Sequence, residues 1–337
     1  MHDEAATKKL LTTWILLLVL LGLLSIAGLL VGRGALDSDH ARKMFMTLRL
    51  WRLLAAFGIG AALSIAGVII QAIFQNPLAG PSIIGTTAGA ALGGQLALLL
   101  YQGMFGYTLI QWLGPEVVVP AGASVGAIVA LIILLLITRR TDGTWVTLLI
   151  GFLLSSFFTS IGAYVISKAQ SSWELGRAVL AFSMGSIASV GPTQVGMVLS
   201  IAVVGFVASI TWHRHLDMLL TGDHEAKTFG LDVRQIRRWG IVWAGILSAG
   251  AVAVGGSIAF VGLIVPHAMR RVAGHSTAHL MPISAVAGGA FVIFCDILSR
   301  IGPGQGETPL GVVTGLIGAP VFLYLLTRDA NEEAFHD

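Results

Sequence analysis

Long apolar runs separated by short polar breaks extend along the chain from Trp14 to Leu326. The first run, from Trp14 to Gly32, has no charged residue across 19 positions. A helix of that length rises about 28 Å, close to the thickness of the hydrocarbon core of a bilayer. The pattern therefore predicts an all-α polytopic membrane protein. The first run is also longer than the apolar part of a signal peptide, so we expect a retained first span.

Reading the apolar runs against the charged breaks predicts about ten transmembrane helices in one transmembrane domain over residues 1–337. Each half of the chain contains one run with a proline and glycine interruption, where a continuous helix cannot form. Paired interruptions of this kind are typical of transporters with two inverted-repeat-like halves. The predicted spans are 14–32, 53–74, 82–101, 117–138, 146–166, 193–212, 239–255, 257–269, 280–300 and 310–327.

The composition supports the membrane interpretation and excludes some other classes. Hydrophobic residues make up 55% of the chain and charged residues 11%, against about 25% charged in soluble domains. The 42 glycines suit close helix–helix packing in lipid. The net charge of +3 is spread over the loops, which argues against a nucleic-acid partner. The single cysteine, Cys295, excludes an intrachain disulfide.

The basic residues predict an orientation with both termini cytoplasmic. That arrangement places twelve of the 20 lysines and arginines in inner loops, which agrees in sign with the positive-inside rule. The exception is an outer cationic cluster in the loop before the second span. An acidic extracytoplasmic partner and arginines that snorkel at a helix end both explain it. The cluster consists of Arg33, Arg42, Lys43, Arg49 and Arg52.

The longest inner break runs from His213 to Arg238, and its centre predicts a short helix. Thr221 suits the N-cap, Asp223 and Glu225 suit the positive end of the helix dipole, and Gly230 suits a left-handed residue after the last turn. A plain connection between two spans and a functional element are both compatible with this pattern.

The arrangement of several segments resembles the iron-chelate and vitamin B12 (FecCD-type) permease family of ABC importers. The resemblance runs in order from Arg49 to about Leu326. Trp51 is a departure, because the family usually has proline there. The segments that carry the resemblance are Arg49-Leu50-Trp51-Arg52, Gly60-Ala61-Ala62-Leu63, Gly67, Gln71, Asn76-Pro77-Leu78-Ala79, Gly222, Ala226, Gly230, Phe260-Val261-Gly262-Leu263-Ile264-Val265-Pro266-His267, Arg270, Asp296, Arg300, Glu307-Thr308-Pro309-Leu310-Gly311 and Gly318-Ala319-Pro320-Val321-Phe322.

The resemblance implies a permease with ten spans that pairs with a second copy or a close paralogue around a path at the interface. Two cytoplasmic ATPase subunits would drive it, and an outer substrate-binding protein would deliver the cargo. It also implies that loop 217–236 couples the permease to the ATPase, with the inner gate near Thr144. Arg49, Arg52 and Arg300 would meet carboxylates of the binding protein.

Elementary chemistry is compatible with these implied roles. Gly222, Ala226 and Gly230 are spaced four apart, so they would form a narrow helical face that a partner can approach closely. Arginine forks bind carboxylates in a bidentate manner. For Arg300, an internal ion pair with Asp296 four residues earlier, or with nearby Glu307, is the competing interpretation.

Three other polar residues have ordinary structural interpretations beside a functional one. Gln71 and Gln75 either line a path or, more commonly, satisfy neighbouring helices. His267 follows Pro266 and has no second metal-ligating residue at a suitable spacing, so a turn role is favoured over a metal site. We expect no bound cofactor in this chain.

Two other function classes fit the sequence less well. No H-E-x-x-H, G-x-S-x-G or G-x-x-x-x-G-K-[ST] motif is present, so the sequence does not support catalysis in this chain. An ion-coupled secondary transporter usually has charged groups deep in the membrane. Asp296 is the only such charge here, and it lies near a span end. Ferric siderophores, haem, cobalamin and oxyanions remain open as cargo, as do homodimer and heterodimer.

Overall fold

The computed structural model describes residues 2–32, 39–101, 113–139, 143–274, 276–301 and 306–334. Within them the chain forms thirteen α-helices, one 3-10 helix and no strand, which confirms the all-α prediction. The helices are α1 (His2–Leu30), α2 (Asp39–Ile73), α3 (Thr86–Leu99), α4 (Pro115–Thr138), α5 (Thr144–Ala169), α6 (Trp173–Met184), α7 (Pro192–Thr211), α8 (His213–Leu220), α9 (Asp223–Thr228), α10 (Val233–Gly255), α11 (Val261–Ala273), α12 (Thr277–Ile301) and α13 (Leu310–Ala334), with the 3-10 helix at Pro81–Ile84.

Eight helices in the described part of the chain are long and apolar enough to cross a membrane. They correspond to eight of the ten predicted spans. The other two predicted spans, 82–101 and 257–269, are present as α3 and α11, with 14 and 13 residues. At about 1.5 Å per residue each rises only about 20 Å. The break that ends at Pro81 precedes α3, and Gly256, with φ of +69°, separates α10 from α11, as the sequence indicated. An interruption at Pro266 was also expected and is wrong, because Pro266 lies inside α11.

The start of α2 differs from the prediction. We expected the outer cationic cluster to lie in a loop ahead of a span that begins at residue 53, but α2 begins at Asp39. Arg42, Lys43, Arg49 and Arg52 are therefore helical, while Arg33 lies outside the described residues. The physical reason is that no proline or glycine occurs between residues 39 and 57, so nothing stops the helix from continuing.

Helix α2 forms the centre of the bundle. The percentage of residues that are buried in its most apolar 18-residue stretch is 83%. The corresponding value is 72% for α10 and α12, 22% for α4 and α5, and 6% for α1. Glycines allow this density: a β-carbon at Gly60 would collide with the backbone of Gly288 in α12, and one at Gly67 with the carbonyl of Gly262 in α11. Small residues at such crossings bring backbones together where lipid supplies little hydrophobic drive.

The two interrupted segments meet beside α2. A β-carbon at Gly262 would contact both the Leu63 carbonyl and the ring of Pro81, which begins the 3-10 helix. Phe260, before α11, has a left-handed backbone with φ of +67°. The 3-10 helix that leads into α3 and the start of α11 therefore lie next to each other inside the bundle. An inverted relation between the two halves stays a prediction.

Several ends of helices lie together at one end of the bundle. The Lys9 ammonium in α1 donates to the Arg271 carbonyl of α11, and the Arg271 guanidinium donates to the Leu325 carbonyl of α13, each at 3.3 Å. The Gln75 amide, just after α2, donates to the Leu219 carbonyl of α8 at 2.7 Å. We call this the α9 end, since α9 follows α8 directly. The predicted coupling loop and the terminal spans thus share one end.

Candidate functional site

The opposite end of the bundle, here called the arginine end, carries the three arginines predicted to dock a partner. Arg49 is half-buried and caps the end of α1. Its Nη1 donates to the Leu29 carbonyl at 2.9 Å, and its Nη2 donates to the Gly32 carbonyl at 3.0 Å. These carbonyls have no partner within the helix, and a cation is favoured beside them. Arg49 therefore fixes α1 against α2.

Asp296 joins the other two arginines. Its side chain in α12 is 1% exposed, and its Oδ1 accepts from the Nε of Arg52 at 2.7 Å. Its Oδ2 pairs with Arg300, whose side chain is 4% exposed. Arg300 also donates to the Gly28 carbonyl at 2.8 Å. The internal ion pair considered for Arg300 is thus present, and one buried carboxylate holds α2 and α12 together.

A second carboxylate closes this cluster on the solvent side. Glu307, 42% exposed, pairs with the Nη1 of Arg52 at 2.8 Å. The Arg52 side chain is 11% exposed and also lies 3.3 Å from the Ser299 hydroxyl. Arg49, Arg52 and Arg300 therefore all have partners inside the chain, and their role in docking stays a prediction.

A further arginine, Arg177 of α6, was not predicted as a docking residue. It is exposed, and among the described residues it has no hydrogen-bond or ion-pair partner. Arg177 and Arg52 line one cavity of about 350 Å³, together with Glu307 and Ser299. The sequence showed an arginine in a polar break, but only the fold places it across a cavity from Arg52.

The predicted coupling helix is present as α9 at the opposite end. Gly230 has φ of +82°, which confirms the left-handed residue after the helix. Asp223 and Glu225 lie in the first turn, as expected. The predicted cap is wrong: Gly222 occupies the N-cap with φ of +120°, and the Thr221 hydroxyl donates to the Met218 carbonyl at the end of α8. Helix α8 extends to Leu220, so Thr221 is the C-cap of α8 instead.

Only part of the predicted small-residue face of α9 is accessible to a partner, since Gly222 is half-buried and Gly230 is exposed but Ala226 is not. Ala226 is fully buried within the main hydrophobic core, so the middle of this face packs against the bundle. The small side chain permits close approach of α9 to the rest of the chain, not of another protein. The opposite side of the loop is exposed, and Phe229 is 68% exposed there. A coupling role for the loop stays a prediction.

Ion pairing anchors the loop to the transmembrane helices. The Arg237 Nη2 of α10 pairs with the Asp223 Oδ1 at 2.9 Å, and its Nε donates to the Ile73 carbonyl at the end of α2 at 3.1 Å. The Gln75 amide also donates to Asp223 at 3.0 Å. The loop and the end of α2 are thus held as one unit. This link had no local sequence signal, because Gln75 and Asp223 are 148 residues apart.

The other polar residues singled out from the sequence either contact neighbouring helices or show no contact that indicates a function. Gln71 is 1% exposed, donates to the Leu263 carbonyl and accepts from Arg270 at 3.0 Å, so it satisfies α11. His267 packs edge-on against Phe322. No group of three potential metal ligands occurs in the described part of the chain. Thr144 is the half-buried first residue of α5, and a gate role for it stays a prediction.

These features define a class: a multi-pass helical membrane protein with a compact loop docked at one end and a cluster of arginines at the other. Comparison with known proteins makes the assignment specific. The model of the FecCD transport family matches residues 10–328. The chain belongs to the FecCD transport family.

Several curated relatives align over most of their length. The cobalamin import system permease protein BtuC of Halobacterium salinarum is 35% identical over 88% of this chain and 76% of its own length. The Fe(3+) dicitrate transport system permease protein FecD of Escherichia coli is 35% identical, with 85% of each chain covered. The hemin transport system permease protein HmuU of Yersinia pestis is 30% identical over 88% of this chain and 87% of its own length.

A solved structure of a metal-chelate type ABC transporter in an inward-facing conformation has a similar fold. The TM-score is 0.80 at 28% sequence identity, with 93% of this chain and 97% of that chain covered. The similarity in sequence and fold confirms the resemblance on which the site predictions depended.

Proposed function

We propose that this protein is the permease subunit of a binding-protein-dependent ABC importer that moves a bulky metal chelate, such as a ferric siderophore, haem or vitamin B12. The single observation that carries the proposal is the family match over residues 10–328. The arrangement of the bundle supports it, because the loop at the α9 end and the arginine cluster lie at opposite ends, where two different partners would bind.

The proposal includes ATP hydrolysis in separate subunits at the α9 end. The loop 217–236 suits coupling because Asp223 ties α9 to Arg237 and to the end of α2. Because of these ties, a movement of the loop would be transmitted to α10 and α2 rather than absorbed by a flexible connection. The exposed contact surface would be the side that carries Phe229 rather than Ala226.

The same proposal places the chain in the inner membrane with both termini cytoplasmic, as a single transmembrane domain over residues 1–337. Lys9 of α1 and Leu325 of α13 lie with α9 at one end, which is what this orientation requires. A second permease copy would cover part of the apolar surface on α5, whose most apolar stretch is only 22% buried.

The arginine end would receive an acidic, extracytoplasmic substrate-binding protein. Arg49 and Arg300 are occupied by backbone carbonyls and Asp296, so their main contribution would be to hold this surface in shape. Arg52 and Arg177 line the open cavity, and Arg177 has no partner among the described residues. A carboxylate from the binding protein would fit between them, where bidentate pairing is favourable.

Reconstitution tests the central proposal. The purified chain in proteoliposomes should show no ATPase activity alone. With an ATP-binding subunit and a loaded binding protein it should show ATP-dependent chelate uptake. A catalytically dead ATP-binding subunit is the control. Uptake driven by an ion gradient without ATP would favour a secondary transporter and refute the proposal.

The docking proposal has its own test. Arg177→Glu should weaken binding-protein association at least tenfold and lower its salt dependence, because a favourable contact becomes repulsive. Arg42→Glu is the matched control, since Arg42 is an exposed arginine in α2 outside the cavity. Equal effects of the two substitutions would mean that only general charge matters, and unchanged binding in both would remove the docking surface.

A further inference from the structure

A cavity of about 350 Å³ at the α9 end carries an excess of positive charge. It lies between the end of α4, the start of α5, α9 and the start of α10. Four basic and two acidic side chains line it, so basic groups exceed carboxylates by two. These side chains are Lys227, Arg234, Arg237, Arg238, Asp223 and Asp232.

Both carboxylates in the cavity are already engaged. Asp223 accepts from Arg237 and Gln75, as described above. The Asp232 Oδ1 accepts from the backbone N–H of Gln235 at 3.0 Å and caps α10. Lys227 and Arg238 are exposed, and neither has an ion-pair partner among the described residues. Lys227 and Arg238 therefore line the cavity with no carboxylate partner in the part of the chain that the structure describes.

The helix dipole adds to the unbalanced charge. Arg234 is the second residue of α10, which begins at Val233. The N-terminal end of a helix is positive over its first turn, so an anion is favoured there and a cation is not. An anion bound in the cavity would therefore interact favourably with this end of α10 as well as with the basic side chains.

The neighbouring surface indicates which anion fits. Leu136 and Ile137, just before the cavity-lining Thr138, are 54% and 47% exposed on the apolar surface of α4. Trp145 and Trp239 near the cavity are 76% and 49% exposed. Exposed tryptophans beside basic residues are typical of the membrane interface, and basic pockets between spans bind lipid headgroups.

We propose that this cavity binds the phosphate of an anionic phospholipid from the adjacent leaflet, with its acyl chains along α4. Lys227 and Arg238 supply the principal contacts to the phosphate. Arg237 stays paired with Asp223, so the lipid would sit against the same loop that the end of α2 contacts. The proposal is independent of importer activity, because lipid binding is a property of the permease alone.

Titration of phosphatidylglycerol into the purified full-length chain, followed by native mass spectrometry, tests the site. Lys227→Gln and Arg238→Gln should each weaken the apparent affinity about fivefold, which corresponds to about 1 kcal/mol for one basic residue at an anionic surface. Arg214→Gln is the matched control, an exposed arginine of α8 at the same end and outside the cavity. It should leave the affinity unchanged.

Two further arms separate the possible sources of the anion. Millimolar inorganic phosphate should not displace the lipid; full displacement would indicate a soluble-anion site and overturn the proposal. Unchanged lipid affinity in Lys227→Gln and Arg238→Gln also overturns the lipid proposal. If those variants instead bind an ATP-binding subunit more weakly, the two cations belong to the contact with that subunit. Circular dichroism confirms that each variant is folded.

Discussion

The buried carboxylate at the arginine end provides a sharp test of how the bundle is held together. Asp296→Asn keeps the side-chain volume but removes the charge that Arg52 and Arg300 share. Arg300, 4% exposed, would remain as a buried cation without its counter-charge. Breaking a buried ion pair from one side costs about 3–5 kcal/mol, because the remaining charge is not solvated. We therefore expect a loss of stability in that range.

Glu307→Gln is the matched comparison, since Glu307 also pairs with Arg52 but is 42% exposed. Exposed ion pairs contribute about 0–1 kcal/mol, so this substitution should cost little. The free energy of unfolding in detergent micelles, measured by reversible denaturant titration, gives both values. Equal costs for the two variants, or a loss below about 1 kcal/mol for Asp296→Asn, would refute the assignment of Asp296 as the central anchor.

Two further predictions concern packing and coupling. Gly67→Leu should lower the midpoint of thermal unfolding strongly, because its side chain would collide with the Gly262 carbonyl; Gly22→Leu, with open space around it, should not. Phe229→Ala should weaken association with an ATP-binding subunit at unchanged thermal stability, while Ala226→Trp should destabilise the chain itself, since Ala226 is fully buried. Pull-down and thermal-shift measurements distinguish the two effects, and an Ala226→Trp variant of unchanged stability would contradict the buried placement.

The membrane-spanning elements could be predicted from the sequence because the constraint on them is local. A segment that crosses lipid must be apolar over its whole length and must satisfy its own backbone hydrogen bonds. The run from Trp14 to Gly32 shows this directly, and the breaks before Pro81 and Val261 identified the two short helices. Positive φ at Gly230 was likewise predictable from residue type.

Boundaries at the polar ends were less predictable. Nothing in the charge pattern around Arg42 and Lys43 distinguishes a loop from a helix that extends beyond the apolar region. Helix α2 continues there because no proline or glycine occurs between residues 39 and 57. Thr221 could cap either the start of α9 or the end of α8. In the structure it is the C-cap of α8, and Gly222 is the N-cap of α9.

The sequence was enough to show that the chain lies in a membrane, that it is helical and which residue types stand at each end of the bundle. These features are predictable because apolar length and side-chain chemistry are properties of short segments. The tertiary structure alone decided which partners those residues have. Arg52 and Asp296 are 244 residues apart, and Ala226 faces the core rather than solvent. Arg177 has no partner among the described residues for the same reason: pairing depends on how α2, α6 and α12 pack, and no local pattern records that arrangement.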